Sequence, residues 1–137
     1  MIDIFSLKVE EIASKIKDAQ LTSVEVCEKY IEKINKFEKD LKAWVYFDKK
    51  LLLEKAAEAD RYRQSGKRIG PLHGIPIAVK DIIGTVDMPT ECGTVIRKGK
   101  SYSQNAEIID LLLAAGAIVM GKTATAELAY LDKLIQL

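Results

Sequence analysis

The 137-residue sequence has 21 basic and 20 acidic side chains, a net charge of +1, and 48% hydrophobic residues. This length supports a single domain, residues 1–137, and the balanced charge without a basic patch argues against direct binding to nucleic acid. No signal peptide and no apolar run of bilayer length is evident, so we expect a cytoplasmic chain without a membrane partner. Two cysteines, Cys27 and Cys92, are too few for a disulfide framework and fit reduced thiols.

The sequence opens with two predicted amphipathic helices. Ser6 is a suitable N-cap for the first helix, which ends before Gln20 and Leu21. Thr22 and Glu25 have the spacing of a capping box and predict the start of the second helix. Apolar residues recur at helical spacing in both segments: Leu7, Ile12 and Ile16 in the first, and Val26, Cys27, Tyr30, Ile31, Ile34 and Phe37 in the second.

A short strand and a third helix are predicted next. Aromatic and branched residues favour a strand over Ala43–Phe47, and we expect those aromatic rings to pack in the core. The segment from Lys49 to about Gln64 predicts a helix, with Gly66 positioned to end it.

Glycine and proline punctuate the stretch GPLHGIPIAVKD, residues Gly70–Asp81. The run from Ile75 to Lys80 predicts a strand, with Pro76 near its start, where a missing donor is tolerated best. Because the run is apolar without alternation, we expect the strand to be covered on both faces. Lys80 then either belongs to a solvated turn or lies where desolvation lowers its pKa and lets it act as a neutral base.

The second half of the chain predicts a loop, a helix and a strand. Residues 82–100 lack periodicity and are predicted to be loop. Asn105 is a plausible N-cap for a helix through Ala115, with Gly116 past its end and a strand over Ala117–Met120. Strand, helix and strand in this order indicate a crossover. The predicted fold class is therefore α/β, with N-terminal helices followed by a mostly parallel or mixed sheet covered by helices.

Residues Gly116–Thr123, GAIVMGKT, match the P-loop pattern of nucleotide-binding proteins. The context is unfavourable, because the first glycine follows a helix and the residues between the glycines favour a buried strand. A nucleotide-binding protein stays an alternative. Otherwise Lys122 and Thr123 are expected to leave the end of a strand.

Other candidate chemistry is sparse. His73 is the only histidine, so the sequence offers no histidine-based metal cluster or Ser-His-Asp triad, and a structural hydrogen bond is its expected role. We expect no metal or other cofactor. Ser101 and Ser103 stay open as nucleophiles, although no neighbouring residue would activate them, and Cys92 stays open as a reactive thiol near Lys80.

Several motifs in a fixed order, between about Leu7 and Tyr130, resemble the amidase signature family of amide hydrolases. They are LTSVEVCEKYIEKI at 21–34, AEADRYRQSGK at 57–67, GPLHGIPIAVKD at 70–81, MPTECGT at 88–94 and AEIIDLLLAAGAIVMGKTATAELA at 106–129. The resemblance implies an incomplete amidase-signature core that corresponds to the N-terminal portion of such a domain.

The resemblance also implies a serine hydrolase with a Ser-Ser-Lys triad, in which Lys80 matches the lysine. The two serines of the family belong to a later segment of the GGSSGGS type, which residues 1–137 do not contain. We therefore expect a truncated or split amide hydrolase that carries only the lysine and is inactive alone. Its partner would be a small-molecule amide once a serine-bearing segment completes it. Free amidase and transamidating ancestry both stay open.

A non-catalytic, oligomeric interaction module is the remaining alternative. An incomplete sheet leaves an apolar edge, and the terminal segment LAYLDKLIQL, residues 128–137, is apolar at helical spacing. We therefore expect a homo-oligomer.

Overall fold

The computed structural model describes residues 2–130. Its helices are α1 (Val9–Lys17), α2 (Ser23–Leu41), α3 (Lys49–Gln64) and α4 (Glu107–Ala114), and its strands are β1 (Trp44–Phe47), β2 (Pro76–Lys80) and β3 (Ile118–Thr123). The strands form one mixed sheet in the order β1-β3-β2. The predicted α/β class is therefore confirmed. Across residues 2–130, every helix is too short or too polar to span a bilayer.

The second and third predicted helices form at their predicted positions, and each begins at a capped residue. Thr22 Oγ1 accepts a hydrogen bond from the Glu25 amide at 3.0 Å, and a Glu25 carboxylate oxygen accepts one from the Thr22 amide at 2.7 Å. Asp48 caps α3 by accepting from the Leu51 amide at 3.0 Å. Each cap satisfies amides that the first helical turn leaves without partners, which fixes both start points.

Two other predicted caps are wrong. Ser6 ends a short 3-10 turn, and α1 begins after Lys8, whose amide donates to the Glu11 carboxylate at 2.7 Å. Asn105 lies one residue outside the N-cap of α4, and its side chain accepts from the Val86 amide at 2.9 Å. In each case a nearby acceptor or donor competes with the local capping geometry.

The central strand of the sheet is β3, which pairs antiparallel with β1 and parallel with β2. Residues 118–122 of β3 are all buried. Within the described residues β2 is an edge strand, and its Ala78 and Lys80 are exposed while Val79 is buried. The prediction that the 75–80 strand is covered on both faces is therefore wrong. The strand that is covered on both faces is β3, because it lies between its two neighbours and under helices on each side.

The core consists of three clusters of buried residues that meet at the sheet. The first cluster joins α1 and α2 and contains Ile4, Ile12, Ile16, Leu21, Val26 and Ile75. The second joins α2, α3 and β3 and contains Cys27, Ile31, Leu52, Ala56, Ile118 and Met120. The third joins β2, β3 and α4 and contains Val79, Met88, Ile109 and Val119. Ile118 and Met120 thus face α2 and α3, whereas Val119 faces α4. Burial on both faces explains why β3 is almost continuously apolar.

Two glycines of the P-loop pattern have packing roles. Gly116 has a φ of +92° and ends α4 beside His73, so close that an added Cβ would lie 2.8 Å from His73 Cα. Gly121 lies within β3, where an added Cβ would lie 2.5 Å from the carbonyl oxygen of Tyr46 on β1. Both positions therefore require a residue without a side chain. Residues 118–123 form a buried strand, so no phosphate-binding loop exists there.

Candidate active site

Two lysines lie side by side at the ends of β2 and β3 but point to opposite faces of the sheet. In the parallel register Val79 pairs with Lys122, and Lys80 pairs with Thr123. Successive residues of a strand alternate between faces. Lys80 therefore shares the exposed face of β2 with Ala78, whereas Lys122 shares the buried face with Val79.

Lys80 is the last residue of β2, and its side chain is exposed. Of the two alternatives for Lys80, the described residues therefore show the solvated one, because no element among residues 2–130 covers the face of β2 to which it points. An apolar groove of about 350 Å³ opens on this same face. Ala78 lines the groove, together with Tyr30, Ile34, Phe37, Leu41, Trp44, Pro76 and Met120. The open face thus combines a lysine at its end with an apolar surface beside it.

Lys122 is the buried lysine of the pair, with a relative exposure of 0%. Its Nζ donates to the carbonyl oxygen of Ile83 at 2.7 Å and to Thr90 Oγ1 at 2.6 Å. Thr85 Oγ1 lies 3.4 Å away and an Asp81 carboxylate oxygen 3.9 Å away. Burial lowers the pKa of Lys122, and the negative charge of Asp81 acts in the opposite direction. The prediction that Lys122 leaves the end of a strand is wrong, because β3 continues through Thr123.

Asp81 follows Lys80 directly and connects the sheet to the loop of residues 81–92. Its amide donates to the carbonyl oxygen of Thr123 at 3.0 Å, and its own carbonyl accepts from the Cys92 amide at 2.9 Å. Both carboxylate oxygens lie 3.2 Å from the Glu91 amide. Asp81 is 1% exposed. These contacts close the 81–92 loop into a defined turn immediately after Lys80.

The serine and cysteine candidates from the sequence lie in surroundings that differ from those of the two lysines. Ser101 and Ser103 are exposed, and within residues 2–130 neither hydroxyl makes a hydrogen bond. Cys92 is buried in the 81–92 loop and has a φ of +56°.

Burial raises the pKa of Cys27 to about 12, with Asp60 and Glu28 adding to the effect. A thiol at that pKa stays protonated at neutral pH and is a poor nucleophile.

His73 has the structural role that its position predicts. A ring nitrogen, Nε2, lies 2.9 Å from the carbonyl oxygen of Ala59 and ties the turn before β2 to α3. A cavity of about 540 Å³ opens beside His73 and Gly116, at the opposite end of the sheet from Lys80. Among residues 2–130 no three His, Cys, Asp or Glu side chains cluster as metal ligands would.

Residues 25–133 match the sequence profile of the Amidase family. Because that match covers most of the chain, the chain belongs to the amidase family, and the resemblance to amidase signature enzymes is confirmed. A putative amidase AmiD of Mycobacterium bovis is 39% identical over 128 residues, which are 93% of this chain and 27% of the relative. One subunit of the glutamyl-tRNA(Gln) amidotransferase of Streptomyces coelicolor is 36% identical over 129 residues, 94% of this chain and 26% of the relative.

The solved structures give the same family. The native peptide amidase of Stenotrophomonas maltophilia superposes with a TM-score of 0.83 at 31% identity, over 90% of this chain and 26% of that one. The chain therefore spans about a quarter of the length of the relatives that it matches.

Sequence reasoning missed the buried cation at Lys122 and its acceptors Thr85 and Thr90. One signal was available, because Lys122 is separated by only Gly121 from the apolar run Ala117–Met120, whose composition predicts a buried strand. A strand that continues by two residues brings such a lysine inside. The acceptors could not be identified in the same way, since Thr85 and Thr90 lie 37 and 32 residues earlier in a loop without periodicity.

Proposed function

We propose that this chain is part of an amide hydrolase of the amidase signature type and that Lys80 is the lysine of its Ser-Ser-Lys triad. The observation that carries the proposal is the placement of Lys80 at the end of β2, on the open face of the sheet. A segment that packs over this face would contact the lysine and desolvate it. Membership of the amidase family and the matching position in the GPLHGIPIAVKD motif support the same role.

In the proposed reaction the neutral Lys80 amine accepts a proton from a bridging serine, which takes the proton of the nucleophilic serine. That serine oxygen bonds to the amide carbonyl carbon, the carbon-nitrogen bond breaks, and the amine leaves with the returned proton. Water then cleaves the acyl-enzyme ester. Of these groups, residues 1–137 supply the lysine and its supporting turn. We therefore propose that the chain alone does not hydrolyse amides.

Burial of Lys80 by a completing segment would favour the neutral amine that the reaction needs. The substrate class is a small-molecule amide, because the groove beside Ala78 offers a mostly apolar surface on the same face, with Lys33 and Glu38 as one charge of each sign in its lining. Direct contact with nucleic acid is not part of the proposal, since basic and acidic residues number 21 and 20.

The test compares the isolated chain with a chimera in which this chain replaces the matching 27% of the Mycobacterium bovis relative. Benzamide hydrolysis is expected from the chimera and not from the isolated chain. Lys80→Ala in the chimera should lower kcat/KM by about a hundredfold to ten-thousandfold. Lys98→Ala, at an exposed lysine in the loop before α4, is the matched control and should leave the rate unchanged. Turnover by the isolated chain that disappears with Lys80→Ala would contradict the proposal.

A homo-oligomeric interaction module is the second candidate, and the open face of the sheet favours it. Phe37 and Leu41 line the apolar groove and are 42% and 69% exposed. Apolar surface of this kind favours association. The rest of the predicted contact surface, residues 131–137, lies outside the described residues. We propose that the isolated chain forms a homo-oligomer, and light scattering that gives one chain per particle at micromolar concentration would contradict this.

A further inference from the structure

The buried ammonium group of Lys122 has no role in the reaction described so far, although burial of a cation is costly. A buried charge persists only where opposite charge and hydrogen-bond acceptors surround it. All the acceptors of Lys122 lie in one segment, the 81–92 loop: Ile83 O at 2.7 Å, Thr90 Oγ1 at 2.6 Å and Thr85 Oγ1 at 3.4 Å. The ammonium group therefore joins β3 to both halves of this loop.

The same loop begins with the turn that carries Lys80. The Ile83 amide donates to the carbonyl oxygen of Lys80 at 3.0 Å, and the Ile83 carbonyl accepts from Lys122. Asp81, 3.9 Å from Lys122 Nζ, links the loop to Thr123 through its amide. Two hydrogen bonds thus link Lys122 through Ile83 to the backbone of Lys80. Loss of the ammonium group would free the peptide units on the C-terminal side of Lys80.

We propose that Lys122 is a positioning residue. It fixes the turn after β2 and so orients Lys80 toward the bridging serine that donates a proton to it. The inference rests on the proposed function of Lys80. A proton acceptor must lie within about 2.6–3.2 Å of its donor, and a misplacement of about 1 Å costs about a hundredfold in rate. Lys80 lies at the open end of an edge strand, so its position depends on the turn that follows it. Lys122 acts through this turn and does not touch the reacting atoms.

The first experiment measures amide hydrogen exchange in the isolated chain for Ile83 and Cys92, the two amides that close the turn. Thr90→Val removes one acceptor of Lys122 and keeps the shape, and Thr90→Ser keeps the acceptor. We expect Thr90→Val to accelerate both exchange rates about tenfold and Thr90→Ser to leave them within about twofold. Thr94→Val is the matched control, since the buried Thr94 hydroxyl has no hydrogen-bond partner within residues 2–130.

The second experiment measures benzamide kinetics in the chimera. Thr90→Val should lower kcat about tenfold with KM within about twofold, because misaimed Lys80 affects the chemical step more than binding. Thr90→Ser should restore kcat, and Thr94→Val should leave it unchanged. Lys122→Met should lower kcat further, provided that circular dichroism shows a folded protein. The Thr90 pair tests the inference even if Lys122→Met does not fold.

The outcomes separate the two proposals. If Lys80→Ala leaves kcat unchanged, the proposed function fails. If Lys80→Ala abolishes turnover while Thr90→Val leaves kcat and both exchange rates unchanged, the positioning role of Lys122 is wrong and the proposed function stands. A fall in kcat that Thr90→Ser does not restore would also contradict the positioning role, because the acceptor oxygen would then be irrelevant.

Discussion

Lys80 is the last residue of β2 and Lys122 the second-last residue of the neighbouring parallel strand β3, yet their surroundings are opposite. Lys80 is exposed on the open face of an edge strand, and Lys122 is 0% exposed on the covered face of the central strand. Lys122 has the environment that is usually associated with a catalytic lysine, but all of its donors are directed at loop acceptors. Under the proposed function, desolvation alone therefore does not identify the base. A reactive group also needs an open path to a second reactant, which Lys80 has and Lys122 lacks.

The largest expected difference between the two lysines is in stability. Lys122→Met leaves Asp81 buried without its cation and should lower the free energy of unfolding by about 3–5 kcal/mol. Lys80→Met changes an exposed side chain and should leave the free energy of unfolding within about 0.5 kcal/mol of the parent. Urea unfolding followed by circular dichroism measures both. Equal losses for the two variants would show that the contrast in burial is wrong.

A smaller loss is expected at Asp81, the anionic partner of Lys122. Asp81→Asn keeps an acceptor for the Glu91 amide but removes the negative charge, so we expect a loss of about 1–3 kcal/mol. Asp87→Asn is the control, because Asp87 is exposed and pairs with Lys55 near the surface. Its loss should stay below about 1 kcal/mol. A greater loss of stability for Asp87→Asn than for Asp81→Asn would contradict the assignment of Asp81 as the buried partner of Lys122.

The pH dependence of unfolding should distinguish Lys122 from the exposed lysines. Its pKa in the folded chain lies below the ordinary value of 10.5, so the unfolded chain binds more protons between the two values. Stability contributed at this residue should therefore rise with pH from the lowered pKa to about 10.5. We expect the stability difference between the parent and Lys122→Met to grow over that window. A difference that shrinks with rising pH would contradict the desolvation of Lys122.

Cys27 should contribute the opposite pH dependence of stability in the same pH range, and the unfolding of Cys27→Ala tests this. The pKa of Cys27 is raised from 9.0 to about 12, so the unfolded chain loses its thiol proton first. Above about pH 9 the parent should lose up to about 1.4 kcal/mol per pH unit from this group. Cys27→Ala should lack that loss and keep the rise from Lys122. If both proteins lose stability equally between pH 9 and 10, the burial of the thiol does not govern its ionisation.

The smallest effect is expected at Thr94. Its hydroxyl is buried without a hydrogen-bond partner within residues 2–130, so Thr94→Val removes a desolvated polar group at nearly constant shape. Melting in urea should show no loss, or a gain of up to about 1 kcal/mol. A loss of more than about 1 kcal/mol would mean that the Thr94 oxygen has an unrecognised partner.

Local signals were sufficient to predict much of the fold. The capping box at Thr22 and Glu25 starts α2, aromatic and branched residues form β1, and Gly116 ends α4. Strand order was not available from these signals, because it depends on which distant segments pair. An apolar run at residues 75–80 fits a central strand and an edge strand equally well, so the exposed face of β2 was missed.

The candidate site, like the fold, could be predicted from the sequence only in part. Lys80 could be selected because it ends a recognisable strand motif, whereas its exposure depends on elements that pack from elsewhere in a chain. The contacts of Lys122 depend on how the 81–92 loop folds back over β3, and no periodic pattern in that loop predicts its path. A local motif such as the strand that ends at Lys80 can therefore be predicted from the sequence, whereas the pairing of distant polar groups requires the structure.

Lys80 as the proton acceptor is the central claim, and the most direct measurement is the rate of ammonia release from benzamide by the chimera and its Lys80→Ala and Lys98→Ala variants. We predict that Lys80→Ala releases ammonia at least about a hundredfold more slowly, while Lys98→Ala matches the parent. Equal rates for all three folded proteins would contradict the assignment of Lys80.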